Sequence, residues 1–210
     1  MKFIIARKME MAQRFAEDGT VTPVTLLKVD PCVVTQVKTA EKDGYDAVQL
    51  GCEEDKKLNK PRQGHLKEIG KSFRTLREFR VGASPEHKVG DVLEAGQFNP
   101  GEFVHVAGTS KGRGFQGVVK RHGFKGSPAT HGHKDQLRMP GSIGSGGVQR
   151  VFKGTRMAGR MGGDSVTVKN LQVVEVDPGK GTIAVKGAVP GARGSLVAVV
   201  GGFDRRQSWK

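Results

Sequence analysis

Residues 105–163 read HVAGTSKGRGFQGVVKRHGFKGSPATHGHKDQLRMPGSIGSGGVQRVFKGTRMAGRMGG. This stretch holds 15 of the chain's 31 glycines and 11 lysines and arginines, but only one acidic residue, Asp135. Its few large apolar residues follow neither the period of a strand nor that of a helix. Such a segment cannot bury enough apolar surface to offset the entropy of ordering itself, and its positive charge needs an anionic scaffold. We therefore predict that residues 105–163 form an arm that becomes ordered inside folded RNA.

The chain has 210 residues and a net charge of +14, and most of that excess lies in the arm. Residues 1–104 carry 17 basic and 16 acidic side chains, and residues 164–210 carry 7 and 4. Both flanks therefore have the charge balance of an ordinary soluble domain. The local concentration of charge indicates a nucleic-acid partner for the arm.

Strand-like segments lie on both sides of the arm. Alternating or β-branched residues, separated by turn signals, predict strands at 3–6, 20–29, 32–38, 45–50, 73–81, 89–94, 102–106, 165–168, 171–176, 182–185 and 196–200. Strands before residue 106 must pair with strands after residue 164 to close a small barrel or sandwich. We predict a mainly β protein with a first barrel part at 1–104, the arm at 105–163, a second barrel part at 164–202 and a loose or RNA-contacting tail at 203–210. A densely charged, partly helical insertion at about 53–72 is expected on the barrel surface.

The two cysteines, Cys32 and Cys52, are too few for a disulfide framework and lack the spacing of metal ligands. We expect both to be reduced, in a cytoplasmic setting. The N-terminus has only a three-residue apolar run, which is not a signal-peptide core, and no window approaches the ~18 apolar residues of a membrane span.

Three glycines of the arm, Gly112, Gly114 and Gly117, satisfy the pattern G-x-G-x-x-G after a predicted strand. A dinucleotide site also needs a long helix and an acidic residue about 20 positions further on. Here the sequence reaches Gly123 almost at once and has no convincing acidic partner. We expect these glycines to let the backbone approach phosphates closely while neighbouring cations neutralise them.

The histidines His105, His122, His131 and His133 raise the question of a metal or catalytic site. Only Asp135 could join His131 and His133 as a ligand, and no nucleophile, base and orienting group form a triad. We expect histidines here to hydrogen-bond phosphates or to stack on bases. No catalytic residue, metal, cofactor or small-molecule substrate is expected.

The segment that follows Met139 has small, flexible residues around one apolar side chain, Ile143. It forms a slim tip that can enter a narrow RNA crevice, and cations flank it on both sides. The tip comprises Pro140, Gly141, Ser142, Ile143, Gly144, Ser145, Gly146, Gly147, Val148 and Gln149.

The runs GTSKGRGFQGVVKRHGF, ATHG, PGSIG, VFKGTRMAGRMG and VKGAVPGARGS closely resemble the bacterial ribosomal protein L-three family of the large subunit. In the N-terminal half, DGTVTPVT, VTQVK and DGYDAVQ match as well. The resemblance covers essentially residues 1–200.

The resemblance implies a six-stranded barrel of the translation-factor type on the outer face of the large subunit, with the arm running inward. It implies a structural, non-enzymatic protein that binds 23S rRNA directly near its 3′ end and supports early subunit assembly. It also implies that the tip lies near the peptidyl-transferase centre and that the barrel touches neighbouring ribosomal proteins. The expected rRNA contacts are Lys111, Arg113, Lys120, Arg121, His122, Lys125, His131, His133, Lys134, Arg138, Arg150, Lys153, Arg156 and Arg160.

The chain departs from the family pattern at two places. Glu10, Met11 and Ala12 stand where the family usually has Gly-Met-Thr, so a local contact there can differ. Some bacterial members carry an N-methylated glutamine at the tip, but the aligned position here is Gly147 and Gln149 is out of register. We therefore expect no such modification.

Two other functions are compatible with parts of the sequence. A free-standing RNA chaperone or regulator would need only the basic arm. A nucleotide-dependent enzyme would rest on the weak glycine pattern alone.

Overall fold

The structure is a computed structural model that describes residues 1–82 and 87–202, so the predicted tail at 203–210 lies outside the described residues. The described chain is mainly β, as the sequence predicts. Its strands are β1 (Lys2–Phe15), β2 (Val21–Lys28), β3 (Cys32–Lys38), β4 (Ala47–Glu54), β5 (Phe73–Arg80), β6 (Val92–Leu93), β7 (Phe103–Thr109), β8 (Phe115–Gln116), β9 (Gly159–Arg160), β10 (Ser165–Asp177), β11 (Thr182–Lys186) and β12 (Leu196–Gly201). Its helices are α1 (Ala40–Asp43), α2 (Lys60–His65) and α3 (Val118–His122), with a 3-10 turn at Ala95–Gln97.

Six antiparallel strands hydrogen-bond into a closed ring in the order β1-β12-β7-β10-β11-β2. Three of them precede the arm in sequence and three follow it, so the ring closes only when the two sides pair, as predicted. The pairing of β7 with β10 runs from Phe103↔Gln172 to Thr109↔Ser165, and β12 pairs with the other edge of β7. The strand β7 continues to Thr109, so the first five residues of the predicted arm lie in this ring. The likeness of the ring to the barrels of translation factors stays a prediction.

The ring is filled by aliphatic and aromatic side chains from its six strands. Those of Ile4, Leu27, Val106, Val173 and Ile183 are completely buried in one cluster. Burial of this kind is the main favourable contribution to folding, at about 25 cal/mol per Å² of apolar surface. The predicted alternation therefore identifies the core, although β1 extends well beyond the predicted residues 3–6. Its extension passes through Glu10, Met11 and Ala12 and carries a bulge between Lys8 and Met11.

The strands β3 to β6 form a second sheet in the order β5-β4-β3-β6, separate from the ring. This corrects the expectation that the strands of residues 1–104 all belong to the barrel. Strand β4 is buried at six successive positions. Val34, Val48 and Leu50 pack into the cluster of the ring, whereas Val33 and Phe73 belong to a smaller cluster. The successive buried positions 32–35 and 47–52 show that both faces of this sheet are covered along much of β3 and β4.

The charged insertion is partly helical, as expected, but it packs on the second sheet rather than on the ring. Leu66, which caps α2, is buried against Val33 and Phe73. His65 lies 2.9 Å from Gln49 Oε1, which also accepts a hydrogen bond from Thr35 Oγ1. The helix is therefore held by one apolar anchor and one polar contact.

The expectation of two reduced cysteines is wrong in this structure, because Cys32 and Cys52 form a disulfide. They stand next to the paired residues Val33 and Gly51 on β3 and β4, with Cα atoms 4.9 Å apart. Both side chains are buried in the cluster that joins the second sheet to the ring. Sequence spacing could not reveal the pairing, because it depends on the register of the two strands.

His105 is a buried residue of β7, so it is not available for the phosphate contacts expected of the histidines. Its side chain faces a bulge of β10 between Val168 and Leu171, where Nδ1 accepts a hydrogen bond of 3.1 Å from the Asn170 N–H. Asn170 has a φ of 57°, which the bulge requires. An Nδ1 that accepts carries no proton, and burial lowers the pKa of His105 below its ordinary value.

The chain divides into two compact units. One comprises Met1–Thr109 and Ser165–Lys210, and the second unit is Ser110–Asp164. In the second unit Val118 is the one fully buried apolar side chain among the described residues. The two ends of the second unit are joined by hydrogen bonds of 2.9 Å from Ser110 N to Asp164 O and of 3.2 Å from Gly163 N to Ser110 O. The hydrophobic clusters lie in the first unit.

We expect the first unit to fold without the second. The test variant replaces residues 111–162 by Asn-Gly, which forms the tight turn that a hairpin between β7 and β10 needs. Circular dichroism should show the β spectrum, and urea unfolding should stay a single cooperative transition. A variant that aggregates or unfolds without cooperativity would show that the second unit is part of the folding unit.

The free energy of unfolding should depend on pH through His105. The pKa of His105 in the folded protein is below the unfolded value of about 6.5, so the unfolded state binds a proton more readily as the pH falls. The contribution of neutral His105 to the free energy of unfolding is therefore complete above pH 6.5. Below that pH it decreases by at most about 1.4 kcal/mol per pH unit. His105→Asn keeps an acceptor near the Nδ1 position but does not titrate. In urea unfolding at pH 7.5, 6.5 and 5.5, the wild type should lose more stability than the variant below pH 6.5. Parallel curves would contradict this role.

Candidate nucleic-acid interface

The fourteen predicted rRNA contacts all lie in the second unit, and none of them is fully buried. Arg121, His122 and His133 are half-buried, and the other eleven are exposed. Among the ion pairs between described residues, none involves a lysine or arginine of the second unit. The unit has eleven such cations and two acidic residues, Asp135 and Asp164. Its positive charge is therefore free to meet an external anion.

A two-stranded ribbon of β8 and β9 brings two of the predicted contacts together. Phe115 pairs with Arg160, and beyond this pair the Arg113 N–H donates to Met161 O at 2.8 Å. Gly162, with a φ of 76°, crosses so close to Lys111 that a Cβ would overlap the Lys111 carbonyl oxygen. The glycine is required there by both conformation and space. Arg160 of β9 and Arg113, which precedes β8, consequently lie on facing segments of the chain.

Two further predicted contacts, Arg121 and His122, lie on the short helix α3 and are hydrogen-bonded to Met157, far along the second unit. Arg121 Nη1 donates to Met157 O at 2.7 Å, and His122 Nε2 lies 3.1 Å from the same oxygen. The helix ends after five residues at Gly123, whose φ is 72°. It is much shorter than the helix that a dinucleotide fingerprint requires, which agrees with the rejection of that site on the sequence.

Residues 124–157 contain no helix or strand and are held by turns and close backbone contacts. Ser127 N donates to Leu137 O at 3.0 Å, and Gly126 fits beneath the same carbonyl where a Cβ would clash. His131, with a φ of 58°, is a non-glycine residue in the left-handed region. Within the described ranges, no group of three His, Cys, Asp or Glu side chains could hold a metal ion.

The predicted tip, residues 140–149, is exposed at every position except the half-buried Val148. Ser142 Oγ donates to Gly144 O at 2.8 Å, and Val148 N donates to Ser145 O at 3.3 Å. Gly146 has open space where a side chain would begin. The tip is therefore a slender, locally hydrogen-bonded loop with no packed core of its own.

Exposed aromatic side chains of the second unit are missing from the predicted contacts. Phe115 is 78% exposed and Phe152 is 55% exposed. The sequence could have indicated them, because each is a large aromatic residue among glycines and cations, with no apolar residues nearby at the spacing of a buried strand or helix. Charge alone selected the cations and passed over these rings.

No helix in the described part of the chain is both long and apolar enough to cross a membrane.

Comparison with known proteins identifies the family. The family model of Ribosomal protein L3 matches residues 56–205, which is more than half of the chain. Large ribosomal subunit protein uL3 of Roseiflexus sp. (strain RS-1) is 58% identical over 93% of this chain and 95% of its own length. The uL3 proteins of Herpetosiphon aurantiacus and Heliobacterium modesticaldum are 56% and 50% identical, over 93% and 94% of this chain and 94% and 95% of their own lengths. These values confirm the resemblance and the expectation of a protein that is not an enzyme. The chain belongs to the ribosomal protein L3 family, whose members are structural proteins of the large ribosomal subunit.

Proposed function

We propose that the second unit binds 23S rRNA directly, near its 3′ end, and that this binding supports early assembly of the large subunit. We propose further that residues 140–149 reach the surroundings of the peptidyl-transferase centre. The observation that carries the proposal is the set of eleven cations without a described ion-pair partner. They lie on a unit with one fully buried apolar side chain among its residues.

A folded RNA supplies what this unit lacks. Phosphates provide the counter-charge, and the release of condensed cations from the RNA provides a favourable entropy. Close backbone crossings, as at Gly126 and Gly162, keep the unit slim, so it can enter spaces where bulky side chains would clash. The histidines His122, His131 and His133 add hydrogen-bonding groups along the same surface.

The proposal also assigns a role to the ring of the first unit. We infer that the ring is of the translation-factor type, lies on the outer face of the subunit and contacts neighbouring ribosomal proteins. Family membership locates the chain on the ribosome in the bacterial cytoplasm. A free-standing RNA chaperone remains the alternative, and it would not stay with large subunits. Co-sedimentation with 50S particles after a high-salt wash distinguishes the two.

The affinity of the full chain for a 3′-domain transcript of 23S rRNA should depend steeply on salt. If about six of the eleven cations meet phosphates, log K should fall with log salt at a slope of roughly −4 to −5. The triple variant Lys111→Gln, Lys120→Gln, Lys125→Gln should make the slope shallower by roughly two to three, because each lost phosphate contact removes about one counterion.

A matched control removes the same charge from the first unit. Lys56, Lys57 and Lys60 are exposed, and Lys56→Gln, Lys57→Gln, Lys60→Gln should leave the slope unchanged. A wild-type slope near −1, or equal effects of the two triple variants, would overturn the assignment of rRNA binding to the second unit.

A bulky side chain at the tip should disturb the ribosome more than the protein. Gly146→Phe meets open space, so its melting temperature should equal that of the wild type. In reconstituted large subunits it should lower the rate of the puromycin reaction by about ten- to a hundred-fold, since small displacements near a catalytic centre have effects of this order.

The control for this substitution is Gly64→Phe in α2, which also meets open space but lies in the first unit. It should leave the puromycin rate within about two-fold of the wild type, well short of the loss that misplacement near a catalytic centre causes. Equal rates for the two variants would contradict a tip near the peptidyl-transferase centre.

A further inference from the structure

The β8–β9 ribbon of the second unit has two distinct faces. Phe115 stands opposite Arg160, and Gln116 stands opposite Gly159. In an antiparallel pair, residues directly opposite each other share a face, and successive residues alternate between faces. Phe115 and Arg160 therefore share one face of the ribbon, and Gln116 lies on the other.

The face of Gln116 and Gly159 is already covered by this chain. The guanidinium of Arg121 lies where a side chain of Gly159 would be, with Nη1 2.7 Å from the position of an added Cβ. The same nitrogen donates to Met157 O at 2.7 Å, which fixes its place. The two strands are also joined by the hydrogen bond of 3.0 Å from Met161 N to Gly114 O. The ribbon is a supported element rather than a free loop.

The face of Phe115 and Arg160 is open. Phe115 is 78% exposed, the highest exposure among the large apolar side chains that the structure describes. Arg160 is exposed as well, and its Nη2 lies 2.7 Å from where a Cβ of Gly163 would stand. An exposed aromatic residue and an exposed arginine therefore occupy paired positions on one face of the ribbon.

The other two phenylalanines of the second unit have neighbours of their own. The ring of Phe124 lies 6.0 Å from that of His122, and the guanidinium of Arg150 lies 5.7 Å from the ring centre of Phe152. Phe115 has no such ring or cation contact among the described residues. Its exposed ring is thus unexplained by the packing of this unit.

We propose that Phe115 and Arg160 form a nucleotide platform, in which the ring of Phe115 stacks on an unpaired nucleobase of rRNA and Arg160 binds the adjoining phosphate. The proposal rests on the proposed rRNA binding and names its ligand at this face. Stacking on an aromatic side chain suits any base, because every base has a π-face. The base must be unpaired, because bases inside an A-form helix are stacked on one another and hidden in the grooves.

Charge favours a nucleotide over an apolar protein surface as the occupant. Lys111 and Arg113 precede Phe115 closely in sequence, and both are exposed. An apolar partner would have to desolvate these cations without compensation, whereas a nucleotide supplies a planar ring together with an anion.

The test measures the binding of full-length variants to the 3′-domain 23S rRNA transcript at several salt concentrations. Phe115→Ala and Phe115→Leu should weaken binding by roughly 5- to 100-fold at every salt concentration, the range found for the loss of one stacked base. The salt slope should stay the same, because no phosphate contact is lost. Phe115→Trp, which keeps a stacking ring, should bind within about two-fold of the wild type.

Two controls separate stacking from other effects. Phe15→Ala removes a ring that is 72% exposed on β1 of the first unit, and it should leave rRNA affinity unchanged. Inorganic polyphosphate, which has charge but no bases, should bind Phe115→Ala as tightly as the wild type. An equal loss for polyphosphate would show that the ring acts by arranging the cations, and the platform would be rejected.

A spectroscopic readout tests the stack directly. In a Trp209→Phe background, Phe115→Trp places the single tryptophan at the platform, and its emission should be quenched and shielded from acrylamide by the rRNA transcript. Unquenched emission on bound RNA, or wild-type affinity of Phe115→Ala together with a steep salt slope, would overturn the platform while leaving the proposed function intact. A shallow slope of the wild type would instead remove the proposed function itself.

Discussion

The pairing of β7 with β10 is the interaction on which the rest of the structure depends. These strands are neighbours in the ring although the whole second unit lies between them in sequence. Val104 and Val106 of β7 are completely buried, and β7 also supports β12 on its other edge. The entropic cost of closing a loop rises by only about 0.6 kcal/mol for each doubling of its length, so a long insertion is compatible with a stable ring.

This arrangement separates stability from recognition. The buried apolar clusters, the disulfide and the ion pairs between described residues belong to the first unit. The second unit contributes surface cations, tight glycine crossings and exposed rings, and its packing gives it little stability to lose. Residues such as Gly146 or Lys120 can therefore change with little consequence for the core.

The fold was predictable where burial leaves a mark on the sequence. Alternation marked the strands of the ring on both sides of the arm, and composition marked the arm itself. The second half of β1 was not predicted, because its exposed residues, such as Met11 and Phe15, do not alternate between apolar and polar. The assignment of β3 and β4 to the ring failed, because an apolar run shows that a strand is covered on both faces but not by which partner. The prediction of two reduced cysteines failed for a related reason, because strand register decides which residues of two strands face each other.

The sequence predicts the composition of the candidate site but not its geometry. Charge selected the cations of the second unit but could not show that Arg121 and His122 turn back to Met157, or that His105 is enclosed by a strand bulge. Those facts depend on contacts between residues distant in sequence. An exposed ring such as Phe115 is visible only once the fold shows which hydrophobic residues the core leaves out.

The position of the second unit in the chain also bears on biosynthesis. Half of the ring, β10 to β12, is translated after Ser110–Asp164. At roughly 5–20 residues per second, the basic segment is complete several seconds before the ring can close. A nascent chain therefore exposes its polycation while its own core is still open. Early binding of that segment by RNA would shield it from other polyanions. It would also hold β7 in place until its neighbours in the ring, β10 and β12, are translated.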